Sequence, residues 1–120
     1  MDKSHAGCQP VWSDTPCRTT CWNHGNWTIE AMKDSSIECV VAQHPWLEND
    51  CLYADIILPA NTTLEVEDIV TTTRQGPHFA SVSIQEQSIL PIGESKSDYE
   101  IVAAIAEKLG YGEEFTGGMS

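Results

Sequence analysis

The chain reads as an α/β fold: a partial parallel-sheet layer with flanking helices. Three features predict it. Two short apolar runs rich in β-branched residues, at 37–43 and 54–59, are separated by a polar loop. A helix-type run precedes the first of them. An amphipathic, well-capped helix closes the chain. That order of elements is the grammar of a layer built on a parallel sheet.

Residues 1–22 are rich in Ser, Thr, Asp, Pro and Cys without sustained periodicity, so an irregular N-terminal segment is expected there, with the domain occupying 23–120. Within residues 27–33, Ile29 and Met32 share one helical face, and the polar Asp34, Ser35 and Ser36 end the helix. The run 37–43 then reads as a buried strand, and 54–59 as a second one that Pro59 stops. From 61 to 91 the chain is polar, with Val82, Ile84 and Ile89 as its few apolar anchors, so loops and at most one strand are expected. The last helix is the most strongly marked. Ser97 and Glu100 form a capping box, Ile101, Val102, Ile105, Ala106 and Leu109 make an apolar stripe, and Lys108 and Gly110 suit its end.

A length of 120 residues allows one small domain. With six Lys and Arg against eighteen Asp and Glu, the net charge of −12 argues against nucleic-acid or anionic-membrane partners. No apolar run is long enough to span a bilayer, and no apolar export segment follows Met1. Asn26 and Asn61 match the glycosylation acceptor pattern, which carries little weight without such a segment. Five cysteines is an odd count, which speaks for a reduced, cytoplasmic chain rather than a disulfide framework. Cys8, Cys17 and Cys21, near His5 and His24, fit none of the usual C-x-x-C metal spacings. The ending Gly117-Gly118-Met119-Ser120, close behind a well-made helix, suits a fragment of something longer.

In parallel sheets ligands gather beyond the carboxyl ends of the strands, which directs attention to residues 43–53. That loop holds an imidazole, an indole, an amide, carboxylates, a thiol and a phenol. Two readings stand open: a surface for a planar polar ligand, or Trp46, Leu47 and Tyr53 covering the sheet edge with His44 solvated. Asp98, at the first position of the last helix, is explained by the helix dipole alone. Alternatively, its carboxylate accepts paired hydrogen bonds from a guanine-like edge. Glu65, Glu67 and Asp68 read as a solvated acidic turn rather than a metal site. Cys51 with His44 has no spacing that favours a nucleophile and base. Walker, G-x-G-x-x-G, G-x-S-x-G and H-E-x-x-H patterns are absent.

Residues 54–69, ADIILPANTTLEVEDI, resemble the "ADIVLPATTxxERxDI" signature of the dimethyl sulfoxide reductase superfamily. Residues 91–101, PIGESKSDYEI, resemble that family's "PxxEARSDxxIF". The resemblance covers about two thirds of the chain. It implies a fragment of a catalytic subunit, contributing part of a nucleotide-binding domain for molybdenum bis-molybdopterin guanine dinucleotide. Residues 40–55, VVAQHPWLENDCLYAD, look like the loop of the pyrogallol–phloroglucinol transhydroxylases, which move a hydroxyl group between polyhydroxylated benzenes. Most other members carry Gln-Asp after the strand and a Thr-x-Thr-Ala run before the signature.

Carried over by position, the resemblance makes Gln43, His44, Asp98 and His24 cofactor contacts, with Asn23 and Asn26 near the same loop. Cys51 and Tyr53 become contacts to an aromatic polyol, and no catalytic residue or metal ligand is assigned. His44 stands where Asp is usual. The implied partners are the remainder of the catalytic subunit, an iron–sulfur electron-transfer subunit and a small aromatic substrate. By itself the chain is expected to be inactive. The alternative is a small stand-alone nucleotide-binding or interaction domain without catalysis.

Overall fold

The structure, a computed structural model, describes residues 10–14, 18–21, 23–71 and 81–118. The chain divides into two compact units, with the boundary between Pro59 and Ala60.

The first unit is a three-stranded parallel sheet in the order β1-β2-β3, with β1 at Pro10–Ser13, β2 at Cys39–His44 and β3 at Ile56–Pro59. Between β1 and β2 runs α1, Gly25–Met32. The central strand explains itself. Val40, Val41 and Ala42 are buried, as is expected where a parallel strand is covered on both faces. Pro10 opens β1 and Pro59 closes β3, so neither missing N–H interrupts the interior of a ladder. The register sets Ser13 beside Ala42 and His44 beside Pro59, which places Ser13, Gln43 and His44 together at the carboxyl edge. Met32 from α1 and Cys51 complete the buried apolar set of this unit.

The return from β2 to β3 has to run back along the sheet, because the strands are parallel. It does so through a 3-10 turn at Asn49–Tyr53. At its far end Asp55 clips the start of β2: its amide donates to the Val40 carbonyl, and the Val40 amide donates to its carboxylate, both at 2.8 Å. β1 corrects the expectation of an irregular segment over 1–22. A four-residue strand has too few positions to show a period, so only its pairing with β2 marks it.

The second unit contains the antiparallel hairpin of β4, Asp68–Thr71, and β5, Val82–Gln85, followed by α2, Asp98–Lys108, and α3, Gly112–Thr116. The hairpin replaces the loops and single strand expected over 61–91. Val82 and Ile84 are not anchors there; both are exposed. Glu65 is a buried carboxylate of this unit. It is 4 % exposed and accepts hydrogen bonds at 2.7 Å from the Thr62 amide, the Thr62 hydroxyl and the Ile92 amide. The reading of 65–68 as a solvated turn is therefore wrong for Glu65, whose carboxyl is held below its ordinary range first by the Thr62 amide and hydroxyl.

The closing helix forms as its sequence signals require. The Ser97 side chain accepts from the Glu100 amide, and the Glu100 carboxylate accepts from the Ser97 amide. Gly110, at φ 84, takes the left-handed position that ends the helix. Ile101 is buried, while Val102, Ile105, Leu109, Tyr111 and Phe115 line an apolar cavity of about 440 Å3 between α2 and α3. Tyr99 and Phe115 meet at a ring separation of 5.7 Å.

Candidate functional site at the carboxyl end of the parallel sheet

The polar residues at the carboxyl edge are buried to an unusual degree for side chains of their type. Ser13 is 1 % exposed, His44 2 % and Gln43 6 %. Neither ring nitrogen of His44 has a hydrogen-bond partner among the described residues, and nor has the Ser13 hydroxyl. Buried polar groups are almost always satisfied, so such atoms mark places where water or a ligand supplies the missing bonds. They lie where ligands of open α/β sheets bind. The reading in which His44 is a solvated loop residue does not hold. Trp46 and Leu47 do not cover the sheet edge either; Trp46 is 64 % exposed.

Asp50, within the 3-10 turn, is 1 % exposed. One carboxylate oxygen accepts from the Arg18 amide at 2.9 Å, the other from the Thr19 amide at 3.0 Å and the Thr19 hydroxyl at 2.7 Å. Burial alone would raise its pKa. The Thr19 hydroxyl and amide, the Arg18 amide and the neighbouring His44 together outweigh that and hold the carboxyl below the usual aspartate value. Asp50 was not singled out from the sequence, because its partners lie more than thirty residues away.

His24 immediately precedes α1 in a left-handed conformation, φ 63, with its ring stacked on Trp27 at 4.6 Å. No side chain caps the start of this helix. At its first position, Gly25 packs against the Thr19 carbonyl so closely that a Cβ would collide with that backbone oxygen. Here the requirement for glycine comes from close approach rather than from φ.

Gln43, His44 and His24 thus belong to one unit, and Asp98 to the other. Asp98 is exposed at the first position of α2 and lines a cavity of about 510 Å3 with Asn61, Val66, Glu67, Asp68, Ser97 and Tyr99. Cys51 is buried, its thiol 3.8 Å from the Trp46 carbonyl. Tyr53 is half-buried, with the Lys33 ammonium 4.9 Å from its ring centre. It lines a separate polar cavity of about 480 Å3 with Lys33, Glu38 and Asp55, beside the amino ends of β2 and β3. Among the described residues no group of three His, Cys, Asp or Glu side chains could hold a metal ion. Cys8, Cys17 and His5 lie outside the described residues.

A family model for molybdopterin oxidoreductases matches residues 7–108. The chain belongs to the molybdopterin oxidoreductase family. Among curated relatives of this molybdopterin oxidoreductase chain, the pyrogallol hydroxytransferase large subunit of Pelobacter acidigallici is 40% identical over 92 residues, 69% of this chain and 10% of that subunit. The dimethyl sulfoxide/trimethylamine N-oxide reductase of Rhodobacter capsulatus is 42% identical over 66 residues, 55% of this chain and 8% of that enzyme. In fold, the chain resembles acetylene hydratase from Pelobacter acetylenicus, with a TM-score of 0.70 and 18% identity, over 89% of this chain and 14% of that one. The chain spans about a tenth of the length of these curated relatives.

Membership of this family implies a molybdenum–pterin cofactor. The described residues bear on the organic part of such a group. Unsatisfied buried hydroxyl and imidazole groups at a sheet's carboxyl edge suit a polar organic ligand. A metal-binding set is absent among them. No described helix is long and apolar enough to cross a membrane.

Proposed function

We propose that this chain forms one wall of a molybdopterin guanine dinucleotide site in the catalytic subunit of a hydroxyl-transferring molybdenum enzyme. The observation that carries the proposal is His44: a buried imidazole at the carboxyl end of the central strand, neither of whose nitrogens has a hydrogen-bond partner among the described residues. In this reading His44 and Gln43 of the first unit contact the nucleoside and His24 flanks the approach from the start of α1; for Asp98, in the second unit, family likeness alone supports a role as acceptor for the donor edge of guanine. When bound, the metal centre supplies the oxygen- or electron-transfer chemistry, and the protein supplies binding and orientation.

The finer assignment, hydroxyl transfer from pyrogallol toward phloroglucinol, draws support from the 40% identity to the hydroxytransferase subunit. Cys51 and Tyr53 are its proposed contacts to the aromatic polyol on family likeness alone, since the cavity that Tyr53 lines is at the amino ends of β2 and β3 and Cys51 is buried. The remainder of the catalytic subunit and an iron–sulfur electron-transfer subunit are the proposed partners, and the chain alone is proposed to be inactive. A cytoplasmic setting accords with the free thiols of Cys21, Cys39 and Cys51.

Titration of the chain with guanosine monophosphate, followed by NMR, tests the core of the proposal. Binding is expected, with His44→Leu and Asp98→Asn each weakening it about tenfold. Binding that adenosine monophosphate matches, or that ignores both substitutions, would refute the assignment.

A further inference from the structure

The first unit has two loops at or leaving the carboxyl edge: the turn after β1, which leads to α1, and the return from β2 to β3. The sheet itself does not tie them to each other; Asp50 does. Its two carboxylate oxygens engage three donors, all from Arg18 and Thr19, across 31 and 32 residues of chain. Thr19 is in turn pressed from its other side, because its carbonyl abuts Gly25. The turn is therefore held at both ends of one residue: the amide and hydroxyl by Asp50, the carbonyl by the start of α1.

We propose that Asp50 is a positioning residue for the ligand cleft. Its carboxylate clasps the turn after β1 to the return loop after β2, so that the two loops and the intervening His44 present one ordered surface. The proposal rests on the nucleotide reading above only for what that surface receives. The chemistry of the clasp calls for a carboxylate in particular. Its backbone partners are N–H donors, and the third is a hydroxyl that donates here, so an acceptor is needed at both oxygens. An asparagine in the same place can turn its carbonyl to Thr19 or to Arg18, but not to both, and its amide then faces a donor. The nearby charges are those of Asp14 and Arg18, paired at 3.8 Å on the surface, and the His44 imidazole.

The test compares Asp50→Asn, Thr19→Val and Thr19→Ser in the full 120-residue chain. It reads segment-resolved amide exchange and affinity for guanosine monophosphate at temperatures where each variant is folded. For Asp50→Asn, exchange is expected to rise together at 18–21 and 45–53 while β2 stays protected, and affinity to fall about tenfold. Thr19→Val is expected to show about a threefold loss and Thr19→Ser none. Loops that stay protected in Asp50→Asn overturn the clasp. Loops that loosen while affinity stays at the wild-type value overturn the positioning role and leave a purely structural bond. If wild type binds no nucleotide yet Asp50→Asn frees both loops, the clasp is supported and the nucleotide reading is the one that falls.

Discussion

Asp50 in the first unit and Glu65 in the second are both buried carboxylates that gather three donors, and they differ in what they gather. Glu65 takes two of its bonds from Thr62, three residues away, and one from Ile92. It shapes a turn and straps it to the segment ahead of α2. Asp50 takes its three bonds from a distant turn, and it stands beside an imidazole whose nitrogens have no partner among the described residues. A carboxylate that closes its own turn is explained by the fold. One that joins two ligand-facing loops beside unsatisfied buried polar atoms asks for a ligand. The surroundings differ in the same sense. The first unit buries a continuous strand at its centre, whereas the second leaves Leu64, Ile69, Val82, Ile84 and Leu109 exposed around a small core of Ala60 and Ile101.

The sharpest way to break the contrast is to strike the turn that Asp50 holds. Gly25→Ala sets a Cβ against the backbone oxygen of Thr19, which cannot yield as a flexible side chain would. A loss of about 3 kcal/mol in unfolding free energy is expected by chemical denaturation. Gly112→Ala in the second unit meets the Glu107 Cα at 3.1 Å, and a shift of a few tenths of an ångström relieves it. Its effect is expected to stay within about 1 kcal/mol, because alanine favours the helix it enters. Equal losses at the two positions would mean that the Thr19 turn moves freely.

Next in size is the loss of the carboxylates themselves. Asp50→Ala leaves two amides and a hydroxyl without their acceptor, and should cost about 2 kcal/mol while exposing 18–21 to amide exchange. Glu65→Ala should loosen 62–66 and the Ile92 amide and leave exchange in β2 unchanged. Loosening that spreads to both units from either substitution would show that they unfold as one, and the contrast between them would lose its meaning.

How far each region was legible in the sequence follows from the range of its interactions. The helix at Asp98–Lys108 was readable to its caps, because the capping box and the glycine at its end act within one turn. β2 was readable because burial on both faces leaves an apolar run; β3 was readable from its own run and closing proline, but the burial expected of it was wrong, since Ile56 and Ile57 are exposed. β1 was not, since four residues paired at long range carry no period. The hairpin of β4 and β5 was missed for a related reason: its side chains are mostly exposed, so no alternation of burial marks it. Gln43 and His44 were reached from the strand end and from family likeness, while Ser13 and Asp50 depend on contacts that only folding creates.

Acid should separate the two carboxylates with a smaller effect. Both are held below their ordinary values in the folded chain. A depressed folded pKa contributes stability that is complete above the unfolded value and is lost as pH falls through the folded one. Unfolding free energy should therefore be flat near neutrality and decline below about pH 4. In Asp50→Asn the decline should be shallower for probes in the first unit alone, and in Glu65→Gln for probes in the second. Identical acid profiles in both variants and in wild type would show that neither carboxylate is tied in the folded state as described.

The smallest expected effect is at the start of α2, and it bears on the site through Asp98. Ser97→Ala removes the acceptor for the Glu100 amide and leaves the Glu100 carboxylate with only the Ser97 amide to hold. About 1 kcal/mol is the usual cost of such a cap. Fraying is confined to the first turn, which is where Asp98 sits, so the loss should appear in helix-end amide exchange before it appears in global unfolding. Ser97→Thr keeps the oxygen and should restore both. α1, which begins after His24 without any side-chain cap, offers the comparison: substitutions at His24 should change ligand affinity without a matching change in helix-end exchange. If His24→Ala instead frays α1 as Ser97→Ala frays α2, then His24 is serving the helix rather than a ligand.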